Sequence, residues 1–298
     1  MKQFNYRYFI FIIIIILLIG LYFYTHYSYQ YNKNTEYFEN NAIQNVSSNK
    51  IYDKFYSKIY DQLFFSAPKL NYEIAQIKRH LSKSKSKILD IGCGTGQHLQ
   101  RLKNYNITGL DNSNDMLQVA KTKVPKLRLI KGNASNSNLF DHQQFNVLLV
   151  LYFVIYYQKD ISKFLQNCYK WLDKNGLLVV HLVNPDKFDP ILEPSSPFPG
   201  FSVQKYSNKR VTKSNVVFNN FDYEANFDLN LDTNKAVFKE EIKFKKDGRI
   251  RRQTHHLTIP PIKGLLKQFK KYGFEYKEHL DLMLCGYEYQ YLYYFTKK

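Results

Sequence analysis

Apolar and polar positions change their spacing along the chain in a regular way. Between positions 87 and 183, short apolar runs typical of strands alternate with stretches of helical period. The predicted strands are Lys87–Ile91, Ile107–Leu110, Leu127–Lys131, Phe145–Leu151 and Leu177–Val183, and the predicted helices are Gly96–Lys103, Asn114–Lys121 and Ile161–Leu172. This alternation predicts an α/β fold, a Rossmann-like, doubly wound, mostly parallel sheet with helices on both faces.

In the regions before and after residues 87–183, the apolar residues recur at other spacings. Within residues 51–81, apolar residues recur every three or four positions, which predicts helix. A proline-rich loop over residues 186–200 precedes an antiparallel hairpin cap, predicted at about residues 201–259 from its period-two stretches. The predicted cap strands are Phe221–Leu231, Ala236–Phe244 and Arg249–Ile259, followed by a helix over Ile262–Tyr272 and two strands, Phe274–Leu282 and Tyr287–Thr296. We therefore predict one domain over residues 51–298.

The first 31 residues are dominated by an almost continuous apolar segment from Tyr8 to Tyr24. About 17 to 20 such residues suffice for a helix to cross a bilayer. Lys2 and Arg7 flank one end, and tyrosines typical of a membrane interface flank the other. A cleaved signal peptide is the alternative, but no small-residue cleavage site follows. We expect a single-pass transmembrane helix within residues 1–31, followed by a polar linker over residues 32–50.

The chain is strongly basic, with a net charge of +18 from 43 Lys and Arg against 25 Asp and Glu. Such a charge can indicate a nucleic acid or an anionic membrane as partner. Here the lysines are spread along the whole chain, which favours a solvated basic surface. The three cysteines are widely spaced, so they predict neither a disulfide framework nor a metal site, and they fit a reducing compartment.

The most specific motif is the glycine-rich run that follows the first predicted strand. Asp90 is followed by Gly92, Gly94 and Gly96 at alternate positions, where a helix begins. Glycine permits a tight turn with positive φ and close approach of the backbone to a ligand. The second predicted strand ends in Asp111, about 20 residues on, where an acid accepts hydrogen bonds from ribose hydroxyls. The motif indicates a dinucleotide site or an S-adenosylmethionine site.

The glycine spacing separates these two interpretations. A pyrophosphate-binding loop needs G-x-G-x-x-G, whereas this loop has an acid, one spacer and then G-x-G-x-G. With further motifs in the expected order, the chain resembles class I S-adenosylmethionine-dependent methyltransferases of the small-molecule type, over roughly residues 51–185 and on toward the end. These motifs are Leu89–Gly96, Gly109–Asp111 with Met116 and Leu117, Lys131–Ala134, Phe145–Ile155, and Trp171–Leu178.

The resemblance implies a set of residues that bind S-adenosyl-L-methionine. Asp90 and the backbone around the three glycines would hold the methionine part, Asp111 the ribose, and Asn112 the adenine. Asn133 and Ala134 would contact the adenine edge, and Cys93 and Leu151 complete the set. The family usually has Asp at the position of Asn133. Asparagine keeps an acceptor oxygen but loses the charge, so we expect weaker binding rather than none.

The resemblance also places the methyl acceptor beyond the fourth strand. Tyr152 is the first candidate to orient the acceptor, with a packing aromatic as the alternative. His181, at the end of the fifth strand, is a candidate general base, with a structural histidine as the alternative. His255 and His256 on the cap are open to the same two interpretations. No ligand spacing around these histidines predicts a metal.

These motifs predict a methyltransferase acting on a small-molecule, lipid-like or otherwise membrane-associated acceptor. A non-catalytic S-adenosylmethionine-binding module is the first alternative, and a nucleic-acid methyltransferase is the second. Base-amine methylators of this fold carry Asp/Asn-Pro-Pro-Tyr after the fourth strand, where this chain has Val150–Phe153, so we expect no nucleic-acid partner. The free thiols and the cytosolic supply of the cofactor predict a cytosolic catalytic domain on the membrane anchor.

Overall fold

The structure is a computed structural model that describes residues 17–22, 43–47, 50–196, 202, 204 and 207–298. Its helices are α1 (residues 17–22), α2 (Lys54–Phe64), α3 (Ala67–Lys78), α4 (Gln97–Arg101), α5 (Asn114–Lys123), α6 (Ile161–Trp171) and α7 (Ile262–Lys271). Its strands are β1 (Ile43–Ser47), β2 (Lys87–Ile91), β3 (Asn106–Asp111), β4 (Arg128–Lys131), β5 (Phe145–Val150), β6 (Leu172–Val183), β7 (Lys213–Val217), β8 (Phe221–Asn230), β9 (Lys235–Phe244), β10 (Ile250–Thr258), β11 (Phe274–Asp281) and β12 (Gln290–Lys297).

Within these residues the larger sheet has seven strands in the order β11-β12-β6-β5-β2-β3-β4. Strands β2 to β6 are parallel to one another, while β12 runs antiparallel to both β6 and β11. The fold is therefore a Rossmann-like α/β fold, as the alternating pattern predicted. The chain leaves β2 for β3 on one side and later returns to β5 on the other. Ligands of such sheets bind in the crevice outside the carboxyl ends of the strands at this switch point.

Helices cover both faces of this sheet because each has one apolar stripe. In α6, Phe164, Leu165, Cys168 and Trp171 are fully buried against one face, and the Asp160 side chain caps the helix by accepting from the backbone of the first turn. On the other face, α3 buries leucine and isoleucine side chains. Burial of each side chain of this size stabilises the fold by roughly 1.5–3 kcal/mol. The sheet is thus held rigidly below the crevice.

The smaller sheet has five strands among the described residues, in the order β1-β10-β9-β8-β7. Strands β7 to β10 form antiparallel pairs within the region predicted as a hairpin cap, and β1 joins β10 in parallel. Strand β1 comes from the segment predicted as a linker, so that part of the chain is not wholly irregular. Helix α2 packs on this sheet through Tyr56, Ile59 and Leu63, against side chains that include Tyr223 and Ile242.

The predicted transmembrane helix is the part of the fold that the structure contradicts. Among the residues that the structure describes, no helix is both long enough and apolar enough to cross a membrane. Of the segment Tyr8–Tyr24, only α1 is described, and six residues rise about 9 Å, against a hydrocarbon core of about 30 Å. The rest of that segment lies outside the described residues. The predictions of a single-pass membrane protein and of a membrane partner are therefore corrected.

Candidate functional site

A large cavity opens at the carboxyl ends of β2, β3 and β5. Its volume is about 1760 Å³, and its lining includes the glycine-rich loop, Asp111, Asn133 and Tyr152. Sites for one drug-sized ligand measure roughly 300–1,000 Å³. This cavity therefore has room for a cofactor and an acceptor side by side.

The glycine-rich loop forms the floor of one half of the cavity. The backbone N–H groups of Gly92 and Cys93 both donate to Leu110 O, at 2.7 and 3.0 Å, which folds the loop against β3. Gly92 has φ +71°, and a Cβ there would lie 2.4 Å from Val154 Cγ2. Gly94, also at positive φ, has no atom nearer than 3.8 Å to such a Cβ. The loop thus needs glycine for packing on one side and leaves open space on the other.

Asp111 is joined directly to this loop. Its Oδ2 accepts from Gly94 N at 2.9 Å, and its Oδ1 accepts from Ser113 N at 2.8 Å. Burial raises the pKa of Asp111, while the backbone hydrogen bonds act in the opposite direction. The carboxylate is held in place at the cavity wall, as the sequence motif predicted for an acid that faces a ribose.

Asp90 lies at the base of the same loop and is only 2% exposed. Its Oδ2 is buried and has no hydrogen-bond partner among the described residues. Burial raises the pKa of Asp90 to about 7, with a smaller contribution from Asp111 and an opposing one from His98. A buried carboxylate without a partner needs a cation or a donor. The ammonium group of a bound methionine moiety meets that requirement, so the residues present fit S-adenosylmethionine.

The other residues expected around the cofactor also line this cavity. They are Cys93, Asn112, Asn133, Ala134 and Leu151. Asn133 Oδ1 accepts from Ser135 N at 2.9 Å, which fixes the side chain beside the Ala134 backbone. Cys93 is buried, and burial raises the pKa of its thiol well above its usual range. These five residues thus line one cavity together with Asp90, Gly92, Gly94 and Asp111, while Gly96 lies outside its described lining.

The two candidate catalytic residues have different positions. Tyr152 lines the cavity at φ +53°, and its hydroxyl donates to Phe64 O at 3.1 Å. His181 is fully buried and lies outside the lining formed by the described residues. Its Nδ1 donates to Tyr152 O at 2.8 Å, its Nε2 lies 3.1 Å from the Gln290 amide, and burial lowers its pKa to about 4. His181 thus supports the backbone of Tyr152, and its role as a general base stays a prediction.

A charged network that the sequence did not reveal lies beside Tyr152. Lys69 Nζ, on α3, is 3.7 Å from the centre of the Tyr152 ring and 3.8 Å from Glu73 Oε1. Glu73 Oε2 is 3.0 Å from His98 Nε2. Burial alone would raise the pKa of Glu73, but the Lys69 ammonium and the His98 hydrogen bond bring it down to about 2. Lys69 and Glu73 both belong to α3, and their contacts with the Tyr152 ring and with His98 of α4 join this helix to the wall of the cavity.

The second half of the cavity is aromatic. We call it the tyrosine chamber, and its walls are Tyr52, Tyr56, Tyr60, Tyr157, Phe238 and His255. Tyr52 is at the centre, with ring centroids 5.8 to 6.4 Å from Tyr56, Tyr60, Tyr157 and His255. The chamber is built where α2, the turn after β5 and the smaller sheet meet.

A buried carboxylate, Glu240, lies behind the tyrosine chamber and is 2% exposed. It accepts from Tyr56 Oη at 2.7 Å, Tyr223 Oη at 2.5 Å, Gln253 Nε2 at 2.6 Å and His255 Nε2 at 2.6 Å. A charge on the buried face of a strand needs such partners. The alternation of buried positions in β9 and β10 is the sequence feature that indicates this polar cluster. Glu240 lies on the same buried face of β9 as Ile242 and pairs in register with Gln253 of β10.

Helix α2 fastens the chamber to the glycine-rich loop through Asp61. This carboxylate accepts from Thr95 Oγ1 at 2.5 Å, from Gln97 Nε2 at 2.9 Å and from Lys123 Nζ at 2.5 Å. The contacts join α2 to the loop, to α4 and to α5. The covering helix is therefore tied to the same backbone that borders the cofactor half of the cavity.

Comparisons with known proteins agree with this fold. Residues 88–176 match the family described as "Methyltransferase domain". An N-methyltransferase of Papaver somniferum is 34% identical over 142 residues, which is 44% of this chain and 38% of that protein. A ubiquinone/menaquinone biosynthesis C-methyltransferase of Campylobacter jejuni is 39% identical over 110 residues, which is 33% of this chain and 45% of that protein. The chain thus spans less than half the length of these curated relatives.

Among solved structures, the chain is similar to an amino pentose methyltransferase from Micromonospora echinaspora, solved with S-adenosylmethionine bound. The TM-score is 0.57 at 18% identity, over 88% of this chain and 100% of that one. The fold of this chain therefore resembles that of class I methyltransferases. The family match over residues 88–176, together with this structural similarity, bears out the predicted resemblance to S-adenosylmethionine-dependent methyltransferases and the prediction of S-adenosyl-L-methionine as the cofactor.

Proposed function

We propose that this protein is an active methyltransferase that transfers the methyl group of S-adenosylmethionine to the nitrogen of a small-molecule amine. One observation carries the proposal: the cofactor residues and the tyrosine chamber border one continuous cavity. The sulfonium supplies an activated methyl group, so the protein must mainly hold the acceptor close to it and in line. A chamber beside the cofactor is where such an acceptor would be held.

The roles of the cofactor residues follow the chemistry of each group. Asp90 would hold the ammonium of the methionine part, and Asp111 would accept from the ribose hydroxyls. The residues assigned to the adenine are Asn112, Asn133 and Ala134, while Cys93, Leu151 and the backbone of Gly92 and Gly94 would shape the pocket. Gly96, the N-cap of α4 at positive φ, would turn the loop away from the pocket into that helix. Tyr152 would orient the acceptor from its place between the two halves of the cavity.

The chamber favours a nitrogen acceptor. The faces of tyrosine rings attract cations and amines, and the Glu240 carboxylate lies directly behind them. Of the relatives compared, one is named an N-methyltransferase and another a C-methyltransferase of quinone biosynthesis. The relatives therefore support a small-molecule acceptor in either case, and the aromatic lining of the chamber, with the Glu240 carboxylate behind it, favours the amine.

The test uses three probes of similar size that differ in the nucleophile. Purified protein is incubated with S-adenosylmethionine and benzylamine, benzyl alcohol or hydroquinone, and the products are identified by mass spectrometry. We expect methylated benzylamine and no product from the other two. The Asp111→Ala variant, which loses the ribose contact, should bind S-adenosylhomocysteine more weakly in calorimetry and form correspondingly less product.

Two results would overturn the proposal. Carbon methylation of hydroquinone without any amine product would move the acceptor to the quinol class. Tight binding of NAD with no heat from S-adenosylmethionine or S-adenosylhomocysteine would remove the cofactor itself.

A further inference from the structure

Three side chains lie in sequence from the wall of the tyrosine chamber into the smaller sheet. Tyr157 belongs to the 3-10 turn Val154–Tyr157, directly after β5, and is 37% exposed toward the cavity. Its hydroxyl lies 2.8 Å from His255 Nδ1, and His255 Nε2 lies 2.6 Å from Glu240 Oε2. A phenol, an imidazole and a carboxylate are therefore joined by two short hydrogen bonds.

The hydrogen-bond partners determine where the protons lie in this series. Glu240 receives hydrogen bonds from tyrosine, glutamine and histidine side chains, so it acts as an acceptor throughout. Burial would raise the pKa of Glu240, but His255 and the hydrogen bonds hold it below its usual range. The carboxylate therefore draws the imidazole proton to Nε2. In the neutral ring, Nδ1 is then left as the acceptor for the Tyr157 hydroxyl.

The groups packed around His255 agree with this arrangement. Tyr52, which directly precedes the N-cap of α2, lies edge-on to the imidazole. Tyr56, from α2, bonds Glu240. Arg251, a neighbouring cation on β10, directs its donors to Asp53, Ile51 O and Gln253. The negative charge of Glu240 is thus available to stabilise a proton on His255.

We propose that Tyr157, His255 and Glu240 form a proton relay that removes a proton from the bound amine. The inference rests on the proposed function, because an amine held as its ammonium form has no electron pair for the methyl carbon. The N–H proton passes to the Tyr157 oxygen while the phenol proton passes to His255 Nδ1. The amine keeps the electron pair of that N–H bond, and the imidazolium formed lies against the Glu240 carboxylate. Glu240 is a positioning residue, since it acts through His255.

The first test measures kcat and KM for benzylamine methylation across pH in Tyr157→Phe, His255→Gln and Glu240→Gln. General-base catalysis contributes about 10²- to 10⁴-fold, so we expect kcat to fall by about 10²-fold or more near neutral pH. The deficit should shrink as pH rises past the pKa of free benzylamine, because the amine then arrives without its extra proton. The matched controls are His142→Gln and Tyr276→Phe, on exposed positions away from the cavity.

The second test does not depend on turnover. Long-range ¹H–¹⁵N spectra of histidine-labelled protein with S-adenosylhomocysteine report which His255 nitrogen carries a proton. We expect Nε2–H in the free protein and protonation of Nδ1 when benzylammonium is added, with the second change lost in Tyr157→Phe. A His255 that is doubly protonated throughout, or that carries its proton on Nδ1, would overturn the relay.

The two tests separate the relay from the proposed function. If wild-type protein methylates benzylamine and the variants lose the same factor at every pH, the relay is wrong and the function stands. If the His255 spectra respond to benzylammonium while no methylated amine forms, the relay stands and the proposed function fails. Calorimetry with S-adenosylhomocysteine, expected to change less than about twofold in the variants, excludes a general loss of the fold.

Discussion

Replacement of Asp90 by asparagine should make the ligand-free protein more stable and the cofactor complex weaker. Asp90 is 2% exposed, and burial raises its pKa to about 7. In the unfolded chain the same carboxyl ionises near 3.9. A carboxyl with a raised folded pKa stabilises the fold fully only below the unfolded value, and this contribution is lost as pH rises through the folded value. Asparagine fits the same space and carries no charge.

The size of the effect follows from the two pKa values. A difference of about 3 units, at about 1.36 kcal/mol per unit, makes ionisation of Asp90 cost up to about 4 kcal/mol above neutral pH. Between about pH 5 and pH 8, the free energy of unfolding of wild type should therefore fall by about 2.5 kcal/mol more than that of Asp90→Asn. The Asp90→Asn substitution should weaken cofactor binding, because the variant offers no negative charge to the ammonium group.

Urea unfolding at several pH values, without ligand, measures this difference, and calorimetry with S-adenosylhomocysteine measures the affinity. The matched control is Asp141→Asn, at an exposed position, whose unfolding curves should follow wild type at every pH. Parallel stability curves for wild type and Asp90→Asn would refute the reasoning. So would an unchanged affinity for S-adenosylhomocysteine.

Two further substitutions test the loop and the buried network. Gly92→Ala should lower both the thermal stability and the affinity for S-adenosylhomocysteine, because the new Cβ would lie 2.4 Å from Val154 in a residue with φ +71°. The control is Gly264→Ala, whose Cβ would have nothing within 4 Å. This variant should be neutral or slightly stabilising in the same thermal melts. Glu73→Ala should lower the free energy of unfolding by about 3–5 kcal/mol, because it leaves the buried Lys69 ammonium without its anion. Denaturant titration measures it, and a loss below 1 kcal/mol would contradict the network's role.

The sequence predicted the larger sheet well because its strands are short apolar runs separated by helices of clear period. Strand β2 has the predicted bounds, and the loop meets Asp111 as the motif required. Strand β1 was missed because only Val46 is even half-buried, and its pairing depends on β10, about 200 residues away. The apolar N-terminal run led to a transmembrane prediction that the described helices contradict.

The tyrosine chamber could not be assembled from the sequence. Tyr157, His255 and Glu240 come from three elements whose positions depend on the packing of the two sheets. The spacing of these three residues along the chain does not indicate that they lie close together. The positions of polar residues on the buried face of β10 were the available signal, because Arg251, Gln253 and His255 alternate there. A strand that buries three polar side chains in succession indicates a built polar site rather than an ordinary core.

Helix α2 contacts both halves of the cavity at once: Tyr56 bonds Glu240 behind the acceptor, and Asp61 bonds Thr95 beside the cofactor. We expect a ligand that tightens one attachment to change the free energy of the other. Thermodynamic reciprocity then requires that amine and cofactor alter each other's dissociation constants by the same factor. Titrating the two ligands in both orders would measure that factor. Its logarithm gives the coupling free energy that the eleven-residue helix α2 transmits between the two sites.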